Sequence, residues 1–194
     1  MSIVIDLPAE KLLDGSLSVE KREARCADFL RAQKSNIKII PITYLSLEDI
    51  QYYSDRVANL RLVVIDGLER IYEPVDCSAE PVNIDTPREA MDKILKSLKK
   101  LALTKDIPVI GTVTVHRSIE RRKNKRPKLS DLGKIDVPAE LVDQIMFLYR
   151  DRYYDPFGYE KAEVIVAKNR SGKTGTVEMD WDYETGRFDE ITDG

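Results

Sequence analysis

The feature that most constrains this sequence is an unbroken apolar run, Leu62–Ile65, which ends directly at Asp66. A strand with one face in water would place polar side chains at alternate positions, and this run has none. The run therefore predicts a parallel strand that is buried on both faces. Pro108–Ile110 predicts a second buried strand of the same kind.

Helix signals alternate with the predicted strands along the chain. Ser46 is a good N-cap for a helix with acidic residues in its first turn, and Thr86, Pro87 and Glu89 form the pattern of a capping box. A further helix is predicted after Ser18. The other predicted strands are Ile3–Ile5, Ile37–Ile40, Ile145–Tyr149, Ala162–Ala167 and Thr174–Met179. This alternation predicts a three-layer α/β/α fold with a mainly parallel central sheet.

Composition excludes several classes of function. The 194 residues suit a single domain over residues 1–194, and no apolar run approaches the length of a membrane span. One histidine and two cysteines exclude a zinc site built on several such ligands, and the cysteines fit a reducing cytoplasm. With a net charge of −3, the fold as a whole does not favour polyanions, so a nucleic-acid contact needs a local basic patch.

Asp66 is the first candidate for chemistry. In nucleotide-binding α/β domains a strand of this type carries its terminal carboxylate to the sheet edge where Mg²⁺ and phosphates bind. Asp also begins turns after ordinary buried strands, and the run by itself does not separate the two interpretations.

A basic segment, residues 117–128, is the second candidate. Its cations face a single acid, Glu120, and such a run can follow a phosphate backbone or form a solvated loop. Arg122 and Arg126 can also form structural ion pairs with Asp131 or Glu120. The predicted nucleic-acid contacts are Arg117, Arg122, Lys125, Arg126 and the nearby Lys134.

The spacing of these residues resembles the hexameric replicative helicases of the DnaB family, whose core is a RecA-like ATPase. That family carries an E-x-R-x-x-K-R-P-x-x-S-D-L segment, then D-x-x-x-F-L-Y-R-D-x-Y-Y, K-x-R-x-G and T-G-T-V. The matching positions over residues 60–180 are Glu120, Arg122, Lys125, Arg126, Pro127, Ser130, Asp131, Leu132, Asp143, Phe147–Asp151, Tyr153, Tyr154, Lys168, Arg170, Gly172 and Thr174–Val177.

The resemblance implies a Walker B role for Asp66, which would bind Mg²⁺ through water. It also implies that Lys168 and Arg170 act in trans on a nucleotide held by an adjacent subunit. Because side chains two residues apart on a strand lie on one face, the pair presents two cations together. An exposed basic edge with no such role is the competing interpretation.

Departures from the family pattern are equally informative. The sequence contains no G-x-x-x-x-G-K-[ST], the loop that cradles β- and γ-phosphates, and no part of it is expected to form the family's collar domain. The catalytic glutamate has no counterpart, the S-Q sensor becomes Val113–Thr114, and the R-E-S-G turn becomes Gly133–Asp136. Mg-ATP binding is therefore expected to be weak or absent in this chain alone. We expect Ile3–Ile5 to occupy the place of the missing P-loop strand, or the sheet to rearrange around the gap.

Two classes of function remain open at this point. The chain is either part of an ATP-driven DNA helicase, or a non-catalytic RecA-fold module that binds a hexameric helicase or single-stranded DNA as a regulator. The partners expected are therefore a DnaB-type subunit, a second copy of the chain or single-stranded DNA, and not a membrane.

Overall fold

Two capped helices lie in the part of the chain that carries the candidate residues. The computed structural model describes residues 37–42, 45–71, 86–135, 137–158, 161–182 and 187–191. Helix α1 spans Leu47–Arg56, and helix α2 spans Pro87–Lys105. Both begin at the predicted caps, because the Ser46 and Thr86 hydroxyls accept from the backbone N–H of Asp49 and Glu89 in reciprocal capping boxes. The apolar face of α2 is buried at Met91, Ile94, Leu98 and Leu101.

Strands β1 (Val63–Ile65) and β2 (Val109–Gly111) pair in parallel, with Val64 opposite Ile110. The parallel pairing agrees with the sequence, but the expectation that both strands are buried on both faces is wrong. Val64 is 60% exposed and Ile110 is 44% exposed, whereas Ile65 is buried. The reason is that the sheet has only these two strands among the described residues, and α2 packs against β2. One face is therefore left uncovered in the described part of the chain.

The chain divides into two compact units. One holds residues of Met1–Pro41, Leu148–Ile165 and Gly175–Gly194, and the other holds Ile42–Phe147 and Val166–Thr174. The second unit contains α1, α2, β1 and β2, a short helix α3 (Leu129–Leu132), and 3-10 turns at Leu68–Arg70, Arg117–Arg121, Gly133–Ile135 and Ala139–Leu141. Its core includes Ile50, Ile65, Leu68, Leu98 and Leu132.

A four-stranded sheet has the order β3-β4-β5-β6. Its strands are β3 (Gln144–Arg150), β4 (Ala162–Asn169), β5 (Gly175–Asp182) and β6 (Arg187–Glu190). Strands β5 and β6 are antiparallel. In the first unit, the Arg150 guanidinium lies 4.1 Å from the centre of the Trp181 ring, which in turn contacts Phe188.

The structure confirms some of the predicted strands and contradicts one. The three strands predicted from Ile145, Ala162 and Thr174 onward are confirmed as β3, β4 and β5, whereas Ile37–Ile40 is irregular and Ile39 is 83% exposed. Pro41 limits the length available to a strand there, and an apolar run without a pairing partner does not become one. Ile3–Ile5 and the helix after Ser18 lie outside the described residues. The fold class is α/β, with one parallel sheet and an antiparallel pair in the other.

Candidate functional site

Asp66 lies directly after β1 and is joined to Thr112, the residue directly after β2. The Thr112 hydroxyl donates to Asp66 Oδ1 at 2.6 Å and accepts from Gly67 N–H at 2.9 Å. Gly67 has a φ of +86°, a conformation that glycine adopts without steric cost. The turn therefore holds an exposed carboxylate at the carboxyl end of the parallel strand pair, where ligands bind in α/β folds.

A second hydroxyl–carboxylate pair lies beside the first. Thr114 Oγ1 donates to Glu69 Oε1 at 3.0 Å, and both side chains are exposed. Neither Thr112 nor Glu69 was among the residues predicted for the site. The signal that identifies Thr112 is its position, because the ends of parallel neighbours meet at one edge and Thr112 follows β2 as Asp66 follows β1.

The oxygens at this edge fit Mg²⁺ better than they fit a triphosphate. Mg²⁺ is commonly held by one or two carboxylates together with water and substrate phosphates. Asp66 supplies such a carboxylate, and its Oδ2 makes no hydrogen bond to any other described residue. A triphosphate needs a cradle of backbone N–H groups, and the sequence holds no loop of that type.

Lys168 lies near the end of β4 and Arg170 directly follows the strand, and both contact residues 139–143. The Lys168 ammonium donates to the carbonyls of Ala139 at 2.8 Å and Val142 at 2.6 Å. Arg170 Nη1 lies 2.7 Å from Asp143 Oδ1, and its backbone N–H donates to the Asp143 carbonyl at 2.9 Å. The Arg170 side chain is 58% exposed. Lys168, by contrast, is half-buried, so the two cations differ in exposure.

Asp143 joins a third cation to this pair. The Lys99 ammonium, from α2, donates to Asp143 Oδ2. This hydrogen bond, with added attraction from Lys99, Arg170 and Lys168, holds the pKa of the Asp143 carboxyl below its usual value, although burial opposes the shift. Sequence reasoning missed Lys99, because the contact joins residues 44 positions apart. We call Lys99, Asp143, Lys168 and Arg170 the Asp143 cluster.

The basic segment contains a structural ion pair at Arg122. Its Nη1 and Nη2 lie 3.2 and 2.9 Å from the two oxygens of Asp131, and Nη2 also donates to the Arg126 carbonyl. The Asp131 side chain is 2% exposed. The guanidinium therefore neutralises a buried carboxylate, as the ion-pair alternative in the sequence predicted. The Arg122 guanidinium is thus engaged within the chain, and its contact with nucleic acid stays a prediction.

The remaining basic candidates are distributed around this pair. Arg117 is exposed at the start of a 3-10 turn capped by His116, whose Nδ1 accepts from Ser118 N–H. Lys125 and Arg126 are half-buried, and Asn124 Oδ1 accepts from Arg126 N–H. Lys134 lies in the 3-10 turn after α3. The structure brings these residues into one unit with Asp66 and the Asp143 cluster.

The comparisons with known proteins identify the family to which this α/β chain belongs. The model of the family "DnaB-like helicase C terminal domain" matches residues 1–190, so the chain belongs to that family. The match extends beyond residues 60–180, which hold the motifs that resemble the family.

Replicative DNA helicases are among the known relatives of this chain. This chain is 30% identical to the replicative DNA helicase DnaB of Haemophilus influenzae over 167 residues, which are 83% of this chain and 34% of that protein. It is 35% identical to the replicative DNA helicase DnaC of Bacillus subtilis over 133 residues, 68% of this chain and 28% of that protein. The chain therefore spans about a third of the length of these relatives.

Solved structures extend the similarity to the fold. One of them, described as an ATPase domain, superposes with a TM-score of 0.85 at 29% identity, covering 98% of this chain and 68% of that one. A DnaB-like replicative helicase, described with its interactions with primase, gives a TM-score of 0.82 at 28% identity and covers 98% of this chain and 46% of that one. Among the described residues, no helix is long and apolar enough to span a membrane.

Proposed function

We propose that these 194 residues form a single RecA-like domain that supplies part of the ATPase site of a DnaB-type helicase and does not hydrolyse ATP by itself. The observation that carries the proposal is the Asp66–Thr112 hydrogen bond at the carboxyl end of the parallel pair. This hydrogen bond fixes the carboxylate that would bind Mg²⁺ in a nucleotide site. The sequence contains no phosphate-binding loop that would hold the nucleotide itself. In a RecA-like domain, β1 and β2 would belong to a mainly parallel central sheet, and helices packed on its open face would cover Val64 and Ile110.

Asp66 would hold Mg²⁺ through water, and Thr112 fixes the orientation of its carboxylate. When bound, the metal ion would neutralise charge on the phosphates of ATP. The hydrogen bond at Oδ1 leaves Oδ2 to face the metal-bound water. Thr112 is in this sense a positioning residue for Asp66.

Lys168 and Arg170 would act on a nucleotide held by another subunit. Lys168 is anchored by two carbonyls, while the exposed Arg170–Asp143 pair is of a kind that contributes about 0–1 kcal/mol. Arg170 can therefore exchange Asp143 for a phosphate at little cost, and Lys168 keeps the end of β4 in place. These different contacts support a trans role in which Arg170 contacts the phosphate of the neighbouring subunit's nucleotide.

Calorimetry with Mg-ATP, together with an ATPase assay, tests the first part of the proposal. The 194-residue chain should show no hydrolysis and weak or no binding, and Asp66→Ala should change neither result. Micromolar binding that Asp66→Ala abolishes would contradict it, because some other loop would then be replacing the missing cradle.

The alternative function is a non-catalytic module that binds a hexameric helicase or single-stranded DNA and regulates it. The absence of G-x-x-x-x-G-K-[ST] from this sequence favours it, because the chain can complete a neighbour's site while offering no complete site itself. Mixing the chain with an intact hexameric helicase from the same source tests this. If the chain changes the ATPase rate of the helicase and Arg170→Ala removes that change, the trans role is supported. If the chain neither co-migrates with the helicase nor changes its ATPase rate, the trans role is excluded.

A further inference from the structure

Asp66 and Gly67 form the one Asp–Gly step in the part of the chain that the structure describes. The backbone nitrogen that follows an aspartate can attack the side-chain carboxyl, and glycine hinders this attack least because it has no Cβ. Asp66 is exposed, and Gly67 is half-buried with a φ of +86°. The pair therefore combines a reactive sequence with a carboxyl that solvent reaches.

The reaction at such a step rearranges the backbone and needs no oxidant or cofactor. Gly67 N forms a bond to Asp66 Cγ, and one carboxyl oxygen leaves as water with the amide proton and one proton from solvent. The product is a five-membered succinimide ring, which water then opens. Cleavage between N and Cγ restores aspartate, whereas cleavage between N and the Asp66 main-chain carbonyl carbon gives isoaspartate, in which the backbone runs through the side chain.

Thr112 holds this turn through four hydrogen bonds. Its backbone N–H donates to the Ile65 carbonyl at 3.0 Å, and its carbonyl accepts from Leu68 N–H at 2.8 Å. Its hydroxyl accepts from Gly67 N–H at 2.9 Å and donates to Asp66 Oδ1 at 2.6 Å. The side chain thus bridges the reacting nitrogen and the reacting carboxyl, while the two backbone bonds fix the residues on either side.

Ring closure requires the peptide unit between residues 66 and 67 and the Asp66 carboxylate to turn toward each other. Because the Thr112 hydroxyl bonds to both groups, the ring closes only in molecules in which these bonds have opened. We propose that Asp66–Gly67 is a site of aspartate isomerisation and that the Thr112 hydroxyl protects it in the folded chain. The inference is independent of the proposed function, since the reaction needs no nucleotide, metal ion or partner subunit.

Incubation of the 194-residue chain at neutral pH, followed by digestion with trypsin, tests the proposal. Trypsin cleaves after Arg61 and Arg70, so peptide 62–70 carries the Asp–Gly step. Its isoaspartate form has the same mass and separates by chromatography, while the succinimide is lighter by one water. Thr112→Val keeps the shape of the side chain and removes both of its hydrogen bonds. We expect isoaspartate to accumulate about fivefold faster in this variant, the ratio that one typical hydrogen bond represents.

Two further variants separate this effect from a general loss of stability. Thr112→Ser keeps the hydroxyl and should isomerise as slowly as the unchanged chain. Thr114→Val makes the same substitution two residues further on, where the hydroxyl donates to Glu69, and should leave the rate at Asp66 unchanged. Equal rates in Thr112→Val and Thr112→Ser, or an equal gain in Thr114→Val, would overturn the protective role.

Free peptide 62–70 is the unfolded reference, because it has the Asp–Gly step and no Thr112. It should form isoaspartate faster than the unchanged chain and faster than Thr112→Val, which keeps the backbone hydrogen bonds of the turn. If the unchanged chain and the peptide isomerise at the same rate, the turn gives no protection. If Thr112→Val isomerises more slowly than the unchanged chain, the hydroxyl promotes the reaction. Either result contradicts the proposal.

Discussion

The Asp131 carboxylate is almost completely buried, and it accepts hydrogen bonds from the Arg122 guanidinium and from Lys128 N–H. A buried charge that loses its partner is costly, because neither water nor a counter-ion replaces the lost interaction. Arg122 Nε is itself buried without a hydrogen-bond partner among the described residues, so the pair is held by its two Nη atoms. This is a structural role for a residue in the middle of a basic segment.

We therefore expect Arg122→Met to lower the free energy of unfolding by about 3 kcal/mol, since it leaves the Asp131 charge without its guanidinium. Arg117→Gln, an exposed change in the same segment, should stay within about 0.5 kcal/mol of the unchanged protein. Urea titrations of the two variants make the comparison. A loss below about 1 kcal/mol for Arg122→Met would show that Asp131 is not dependent on the ion pair.

Asp143 gives a pH prediction at the same scale. Its folded-state pKa lies below the usual value because Lys99 donates to it and Lys99, Arg170 and Lys168 attract its charge. A depressed pKa means that the carboxylate contributes stability above its unfolded pKa of about 3.9, and that this stability is lost as the pH falls through the folded value. We expect Asp143→Asn to have a lower free energy of unfolding at neutral pH than the unchanged protein. Below about pH 4, its free energy of unfolding should fall less steeply as the pH is lowered. Parallel unfolding curves for the two proteins across that range would contradict the assignment.

At the scale of elements, the carboxyl edge depends on close packing between β2 and the turn after β1. A Cβ on Gly111 would lie 2.6 Å from Leu68 Cδ1, and Leu68 is buried. The Leu68 backbone N–H also donates to the Thr112 carbonyl at 2.8 Å, so the turn cannot move away freely. The position of Asp66 relative to Thr112 follows from this contact.

Gly111→Ala should therefore destabilise the protein by about 1–3 kcal/mol through overpacking. Gly133→Ala is the control, because nothing lies within 4 Å of its added Cβ and its φ of −62° suits alanine. Thermal unfolding followed by circular dichroism measures both. Equal melting temperatures for the two variants would mean that Leu68 moves aside without cost.

At the scale of the whole molecule, the net charge of −3 opposes binding to DNA unless the basic residues act locally. The residues proposed for this contact are Arg117, Arg122, Lys125, Arg126 and Lys134, of which Arg122 is already paired with Asp131. The predicted binding is independent of sequence, because contacts with phosphates carry no base information.

Binding to single-stranded DNA should weaken steeply with salt, with a log–log slope of about −0.7 for each phosphate contact. Arg117→Gln should reduce the slope by about one contact. Lys96→Gln removes one charge from a surface lysine paired with Asp92 and should leave the slope unchanged. If fluorescence anisotropy detects no binding at low salt, the basic segment is a solvated surface or a protein contact.

The sequence by itself determined the local elements and the family. Neighbouring residues encode the capping boxes at Ser46 and Thr86 and the apolar runs of β3, β4 and β5. The positions of these elements were therefore predicted to within a few residues. Strand β6 was not predicted, because it has only four residues and three of them, Arg187, Asp189 and Glu190, are charged. The spaced motifs between Glu120 and Val177 were likewise sufficient to indicate the helicase family.

Only the tertiary structure decided which charged groups meet. Thr112 reaches Asp66 across 46 positions, Lys99 reaches Asp143 across 44, and Lys168 reaches the Ala139 carbonyl across 29. It also decided that Val64 is exposed, because burial depends on what covers a sheet face and not on the run itself. Local patterns fix backbone conformation through short-range sterics and hydrogen bonds, whereas a site and a core depend on contacts between distant segments, which one sequence does not specify.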